Sequence, residues 1–459
     1  MEPICRESID RFVDENIENI LRDIARLVAI NSVEGEALPG APFGKGPALA
    51  LDEALKISKE LGLSAVNADG YIGWAELSGT EEKYLATITH LDVVPVGEGW
   101  SSDPFTMRER EGYILGRGVM DDKGPSVLCL YALKYLKDSG IPLRYPIRAL
   151  LGVNEETGMG DVEYYLSNYP APAFCFSPDA NFPLCNGEKG ISHGKLFSDI
   201  KLDRIVDIHG GFAPNAIPDK AQATVRAIGL PSAEGIELCE DGELTTITAY
   251  GIGGHASMPE GTVNAIGVLT DYLLDAGIVR GDEGEFFRFL HKLHSDPTGS
   301  ALGVAADDGL FEPLTIIGGV ISTENGILCQ MYDTRYPTNT NGAKIAAQLT
   351  EELGSLGHVE MIRDTVPFYM SLDNPAVKVC IDAYNAVTGE NAKPYTIGGG
   401  TYARDFPNAV SFGPEHPERP MPDFAGPIHG VDEAASIEFF REALKVYIVA
   451  LTELEKLDF

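Results

Sequence analysis

The sequence predicts an α/β fold: a discontinuous domain with a mostly parallel sheet covered by helices, and an α+β domain inserted into it. Three observations lead there. Short apolar, β-branched runs alternate with helical patterns up to about residue 183. Strand-like runs then come closer together over 184–365. From 366 the alternation returns. The expected division is therefore 1–183 and 366–459 for the two parts of the first domain, with 184–365 as the insert.

The elements follow in order. Phe12, Ile17, Ile20, Leu21, Ile24, Leu27 and Val28 fall near one face of a helix over 10–30. A Gly/Pro-rich loop runs from 31 to 47, and a second helix over 48–61 stops at Gly62. Strands are expected at 71–77, 84–89, 147–153 and 173–176, with helices at 127–137 and 162–166. The insert shows strand-like runs at 221–228 and 244–250 and helical runs at 263–274 and 343–353. After 366 come a helix over 376–388, the loop Gly398-Gly399-Gly400-Thr401, a short strand over 409–412 and a last helix to about 457. No internal repeat or low-complexity tract interrupts the pattern.

Composition narrows the function classes. The chain has 459 residues, a formal net charge of −34 and 44% hydrophobic residues, the globular class. So acidic a chain is poorly suited to neutralising nucleic-acid phosphates or to binding an anionic membrane surface. The stretch Met1-Glu2-Pro3-Ile4-Cys5-Arg6 lacks the pattern of a secretion signal, and no run approaches the ~18 apolar residues of a membrane span. Seven scattered cysteines with no Cys-x-x-Cys pair argue against a disulfide framework or thiolate zinc site, so a cytoplasmic location is expected.

Chemistry-bearing residues gather at the ends of the predicted strands. One strand ends in His90-Leu91-Asp92, the next in Asn154-Glu155-Glu156, the third in Ser177-Pro178-Asp179. In open α/β sheets sites form at the carboxyl ends of strands. Asp121 and Asp122 sit on a glycine-flanked loop before a helix, where a carboxylate can reach two metal ions at once; His429 stands near the end of the chain. Each has an ordinary explanation alone: Asp121 and Asp122 as helix caps, His90 and His429 as buried histidines, the glutamates as a loop cap, Asp179 as a turn residue. Together, two imidazoles and three carboxylates (His90, Asp121, Glu156, Asp179, His429) suit two divalent ions, zinc first, with manganese or cobalt as alternatives. Such a pair would hold a hydroxide and polarise a carbonyl. Asp92 is placed to accept the second ring N–H of His90, and Glu155 is left free to act as general base and then general acid.

These motifs, His90-Leu91-Asp92-Val93-Val94-Pro95, Gly116-Arg117-Gly118 with Asp121-Asp122-Lys123-Gly124, Asn154-Glu155-Glu156-Thr157-Gly158, Ser177-Pro178-Asp179-Ala180 and His429-Gly430, resemble in order those of the di-zinc metallopeptidases related to aminoacylase and glutamate carboxypeptidase. Asn186-Gly187-Glu188-Lys189-Gly190 and Gly398-Gly399-Gly400-Thr401-Tyr402-Ala403-Arg404 are similar to the bacterial dipeptidase V (PepV-type, Xaa-His dipeptidase) branch. The resemblance implies a catalytic domain with an inserted lid. It makes Asp121 the bridging carboxylate, with His90 and Asp179 on one metal and Glu156 and His429 on the other. It implies that His255 in the lid stabilises the oxyanion and that Asn215 and Arg335 hold the substrate, Arg335 by a bidentate grip on a terminal carboxylate. From the residues alone, His255 also reads as a capping or surface histidine and Arg335 as an ion-paired strand residue. Gly400 and Thr401 are expected to line the cleft. Asn181 departs from the branch, which often has an acid there.

The expected activity is that of a metal-dependent dipeptidase cleaving short unblocked peptides through a di-metal-bound hydroxide. The alternatives are a deacylase of N-acyl amino acids on the same fold or a non-catalytic binding protein. The resemblance further implies a monomer, since the middle segment, about 184 to 365, is long enough for the enlarged lid of the dipeptidase branch.

Overall fold

A computed structural model describes residues 6–459, so the reading of the first five residues lies outside it. The chain forms two compact units. The first holds the residues up to Asn186, Tyr369–Tyr395 and Gly400–Phe459; the second holds Gly187–Phe368 and Thr396–Gly399. Of the stretch expected over 366–459, the residues up to Phe368 and the four of Thr396–Gly399 pack with the second unit.

The first unit is built on a mixed sheet whose middle is parallel. Ile147–Gly152, Leu85–His90, Phe174–Ser177 and Ala409–Ser411 lie side by side in that order. Ile72–Leu77 and Ser64–Ala68 extend one side antiparallel, and the other side also turns antiparallel. The parallel strands are buried from end to end apart from Arg148, which is why they read as continuous apolar runs rather than alternating ones. Parallel neighbours also bring all four carboxyl ends to one edge.

Helix Lys123–Asp138 packs against Arg6–Val28 and Ile437–Leu454 on one side of this sheet. It is buried nearly all round. Its Leu128, Leu130, Leu133 and Leu136 are at most 1% exposed, and each such burial contributes about 1.5–3 kcal/mol relative to exposure. On the other side, Trp74, Tyr84, Tyr165, Tyr402 and Phe406 form a second core cluster.

The second unit is an eight-stranded, wholly antiparallel sheet, in the order Ile236–Asp241, Leu244–Tyr250, Lys220–Val225, Ile205–Gly210, Thr315–Glu324, Ile327–Tyr336, Gly190–Ser198, Gly357–Thr365. Helices Ala265–Asp275, Gly281–Ser295 and Gly342–Leu353 contribute to its core. Most of these strands, and helix Gly281–Ser295, are not anticipated from sequence. Among the described residues no helix is long and apolar enough to cross a membrane, and no disulfide joins the cysteines.

Candidate active site

The edge where the parallel strands end carries the predicted cluster. His90 closes its strand and is fully buried. Its Nδ1 lies 3.1 Å from the Asp92 backbone carbonyl and 3.4 Å from the Asp92 carboxylate. The carboxylate expected to take that ring N–H is turned chiefly to the next strand's loop, where it accepts the N–H groups of Glu155 (3.2 Å) and Glu156 (3.1 Å). Asp92 therefore shapes the Glu155–Glu156 turn as well as backing His90.

Asp121 lies between the two imidazoles. Its Oδ1 is 2.8 Å from His90 Nε2 and its Oδ2 is 2.8 Å from His429 Nε2. His429 Nε2 is also 3.2 Å from Glu156 Oε1, and His90 Nε2 is 3.8 Å from Asp179 Oδ2. Ligand atoms of His90, Asp121 and Glu156 fall within 4.8 Å of one another, as do those of His90, Glu155 and Asp179. Glu155 thus stands inside the ligand cluster rather than apart from it. The helix-cap explanation fails for Asp122. It occupies the N-cap of Lys123–Asp138, but its side chain makes no capping bond and instead accepts the His90 N–H at 3.1 Å.

Electrostatics set these groups apart. Burial favours the protonated acid at Asp121, yet the His429 and His90 rings hold it well below the usual carboxylate range. Burial would keep His90 neutral, but Asp121 and Asp92 raise it well above its ordinary value. Asp121 and Glu156 push His429 up to about 10. Burial, followed by the charge of Asp179, raises Glu155 well above a normal glutamate; burial and Asp121 do the same to Asp179. Carboxylates crowded in this way want cations.

The donor set fits a divalent pair. One carboxylate turns each oxygen to a different imidazole, and further carboxylates flank both sides. His90 Nε2 is buried without an aligned hydrogen-bond partner. Nitrogen and oxygen donors without thiolate match zinc, manganese or cobalt better than calcium.

Two acids absent from the sequence reading belong here. Glu433 is fully buried and accepts the N–H groups of Gly118 (3.1 Å), Met120 (3.1 Å) and Asp121 (3.3 Å) through Oε1. Its Oε2 accepts Arg117 Nη1 at 2.6 Å, and Arg117 Nη2 reaches the His429 carbonyl at 3.2 Å. One ion pair therefore clamps the Asp121 loop to the His429 loop. His429 itself adopts φ 61, a left-handed conformation uncommon outside glycine. Glu415 follows the fourth parallel strand. Burial, then Asp121 and Glu433, pushes it up to about 7. A signal for it exists: Pro414-Glu415 ends a strand just as Pro178-Asp179 does.

The second unit gathers the three remaining residues. Ala216 pairs with His255 in a two-stranded ribbon, and Ala256 donates its N–H to the Asn215 carbonyl at 2.9 Å, so Asn215 and His255 share one scaffold. His255 is exposed. Its Nδ1 accepts the Ser257 N–H at 3.2 Å, which places the proton of a neutral ring on Nε2. Partial desolvation of the ring, then the charge of Arg335, lower its pKa, favouring that neutral donor. Arg335 is indeed ion-paired: Nε and Nη2 reach Asp333 at 2.7 and 2.9 Å, and Nη1 donates to the Gly398 carbonyl at 2.8 Å. His193 Nε2 lies 2.6 Å from the same Asp333. With three of its five N–H groups engaged, the guanidinium keeps one on each terminal nitrogen. Thr401, in the first unit, is buried. Its hydroxyl is 2.8 Å from Ser411 Oγ and accepts the Ala403 N–H, so it shapes its loop, while Gly400 lies against Arg404.

Known proteins resemble the chain over nearly its whole length. The Beta-Ala-Xaa dipeptidase of Lactobacillus delbrueckii subsp. lactis is 32% identical over 461 residues, covering 95% of this chain and 96% of that one. Human carnosine dipeptidase 1 shares the fold at 15% identity with a TM-score of 0.62, covering 98% of this chain and 99% of its own. The aminoacylhistidine dipeptidase of Vibrio alginolyticus does so at 15% and 0.63, covering 95% and 96%. The family model of peptidase family M20/M25/M40 matches residues 86–453, a span containing every candidate site residue, and the chain belongs to that family.

Proposed function

We propose that the protein is a dipeptidase that uses two divalent metal ions, zinc first among them, to hydrolyse short unblocked peptides. The observation that carries this reading is the Asp121 carboxylate, with one oxygen 2.8 Å from each of two imidazoles. Asp121 would bridge the ions, His90 and Asp179 holding one and Glu156 and His429 the other. When bound, the pair supplies Lewis acidity at the scissile carbonyl and the attacking water. Glu155, raised by burial and by Asp179, is suited to take the proton from that water and deliver it to the departing amine. Asp92 orients His90 and the Glu155 turn. His255, with its proton on Nε2, suits the developing oxyanion. Arg335, steadied by Asp333, and Asn215 suit the terminal carboxylate. Gly400 and Thr401 contribute a shaped loop. A monomer acting in the cytoplasm completes the proposal.

The test is a panel of dipeptides, dipeptide amides and N-acyl amino acids assayed with zinc, manganese and cobalt. Dipeptides should be cleaved far better than their amides, and Arg335→Ala should erase that preference. Faster turnover of N-acyl amino acids would make the enzyme a deacylase.

A further inference from the structure

Glu415 is the chemistry-bearing residue at the strand edge that the reaction above leaves without a task. A short parallel pairing sets Pro414 against Ala180 and Glu415 against Asn181, two residues beyond Asp179. The charges of Asp121, Glu433 and His429 act on the Glu415 carboxylate. It belongs to neither ligand cluster, and among the described residues its side chain has no hydrogen-bond partner. The nearby cations are engaged elsewhere. Arg117 pairs with Glu433, Arg419 with Glu442 at 2.8 Å and Glu390 at 3.1 Å, and His416 with Glu442 at 3.0 Å.

The same residue lines a cavity of about 360 Å³, whose walls include Met120, Met421, Ile428 and Phe439, together with His416 and Arg419, both held by Glu442. A half-buried carboxylate in the wall of a mostly apolar cavity, with the cavity's own cations already paired, calls for a cation joined to an apolar group. The α-nitrogen of a peptide is only two bonds from the scissile carbonyl carbon, so it must sit close to the ions. The charged tip of a lysine or arginine side chain would instead need an acid at the far end of the cavity. The position of Glu415 beside Asp121 fits the first case.

We propose that Glu415 holds the free α-ammonium of the substrate and that the adjoining cavity receives the side chain of its N-terminal residue. This rests on the dipeptidase reading and specifies it: the enzyme selects unblocked peptides with an apolar first residue.

The experiment compares alanyl-glycine with propionyl-glycine, which lacks only the amine, in the wild-type enzyme and in Glu415→Gln loaded with zinc. In the variant, kcat/KM for alanyl-glycine should fall about 10- to 100-fold and that for propionyl-glycine should stay within about twofold, at unchanged metal content. A variant that keeps the wild-type discrimination overturns the inference while leaving the dipeptidase reading intact. A wild-type enzyme that prefers propionyl-glycine overturns both. Met421→Trp, at the partly exposed mouth of the cavity, tests the second half independently of whether Glu415→Gln folds. It should raise KM for phenylalanyl-glycine about tenfold relative to alanyl-glycine, and an unchanged ratio assigns that side chain elsewhere.

Discussion

At the scale of single residues, adjacent Glu155 and Glu156 offer the sharpest contrast. Glu156 lies 3.2 Å from His429 Nε2, whereas Glu155 groups with His90 and Asp179 and is raised well above a normal glutamate. Glu155→Gln should therefore keep both ions and lose most turnover, by ~10²–10⁴-fold, the usual range for a general base. Glu156→Gln should lose or loosen one ion. Metal analysis beside kinetics decides, and the reverse outcome would exchange the two roles. The residues of this cluster are legible in the sequence because each ends a strand or stands in a glycine-flanked turn. Glu433 is not. Its partners Gly118 and Met120 are 315 and 313 positions away, and no local pattern marks an acid whose task is to receive distant backbone N–H groups. Glu415 stands in a readable pattern, proline then acid after a strand, but that pattern alone assigns it no metal role.

At the scale of elements, the parallel strands were legible because burial on both faces leaves an unbroken apolar run. The long strands of the second unit were not, and Gly190–Ser198 explains why. Its inward positions alternate regularly, yet they are Gly190, Ser192, Gly194, Leu196 and Ser198. A Cβ on Gly190 would lie 2.2 Å from the Tyr336 ring, and one on Gly194 would lie 2.4 Å from the Tyr332 hydroxyl. The apolar bulk comes from the neighbouring strand Ile327–Tyr336, so the period-two signal vanishes from Gly190–Ser198 itself. Helix Gly281–Ser295 carries a pH-dependent element. Its His294 is pulled from 6.5 to about 4 by burial, against the opposing hydrogen bond from Nε2 to Gln330 at 3.2 Å. The unfolded chain then takes up a proton below pH 6.5 that the folded chain refuses until about pH 4. Stability should be full above 6.5 and decline as pH falls through that window, by at most about 3 kcal/mol from this group. Urea unfolding at a series of pH values should give a shallower acid decline for His294→Gln; parallel curves would remove His294 from the account.

At the scale of the whole molecule, the crowding of Asp121, Asp122, Glu155, Asp179 and Glu415 in a chain of net charge −34 makes metal a matter of stability as well as activity. Exhaustive chelation should abolish turnover and lower the melting temperature. Restoring zinc should recover both, with two ions bound per chain. Full activity in metal-free protein would end the dipeptidase reading. The return of Thr396–Gly399 to the second unit has a different kind of consequence, one for inheritance. That unit is encoded in two pieces, one of 182 residues (187–368) and one of four, and the Gly398 carbonyl in the small piece anchors Arg335 in the large one. Recombination between related genes that exchanged only the long piece would join an incoming arginine to a resident loop that never evolved beside it. The four-residue visit thus ties the fate of two distant stretches of gene together, and a chimaera respecting it must splice at both places.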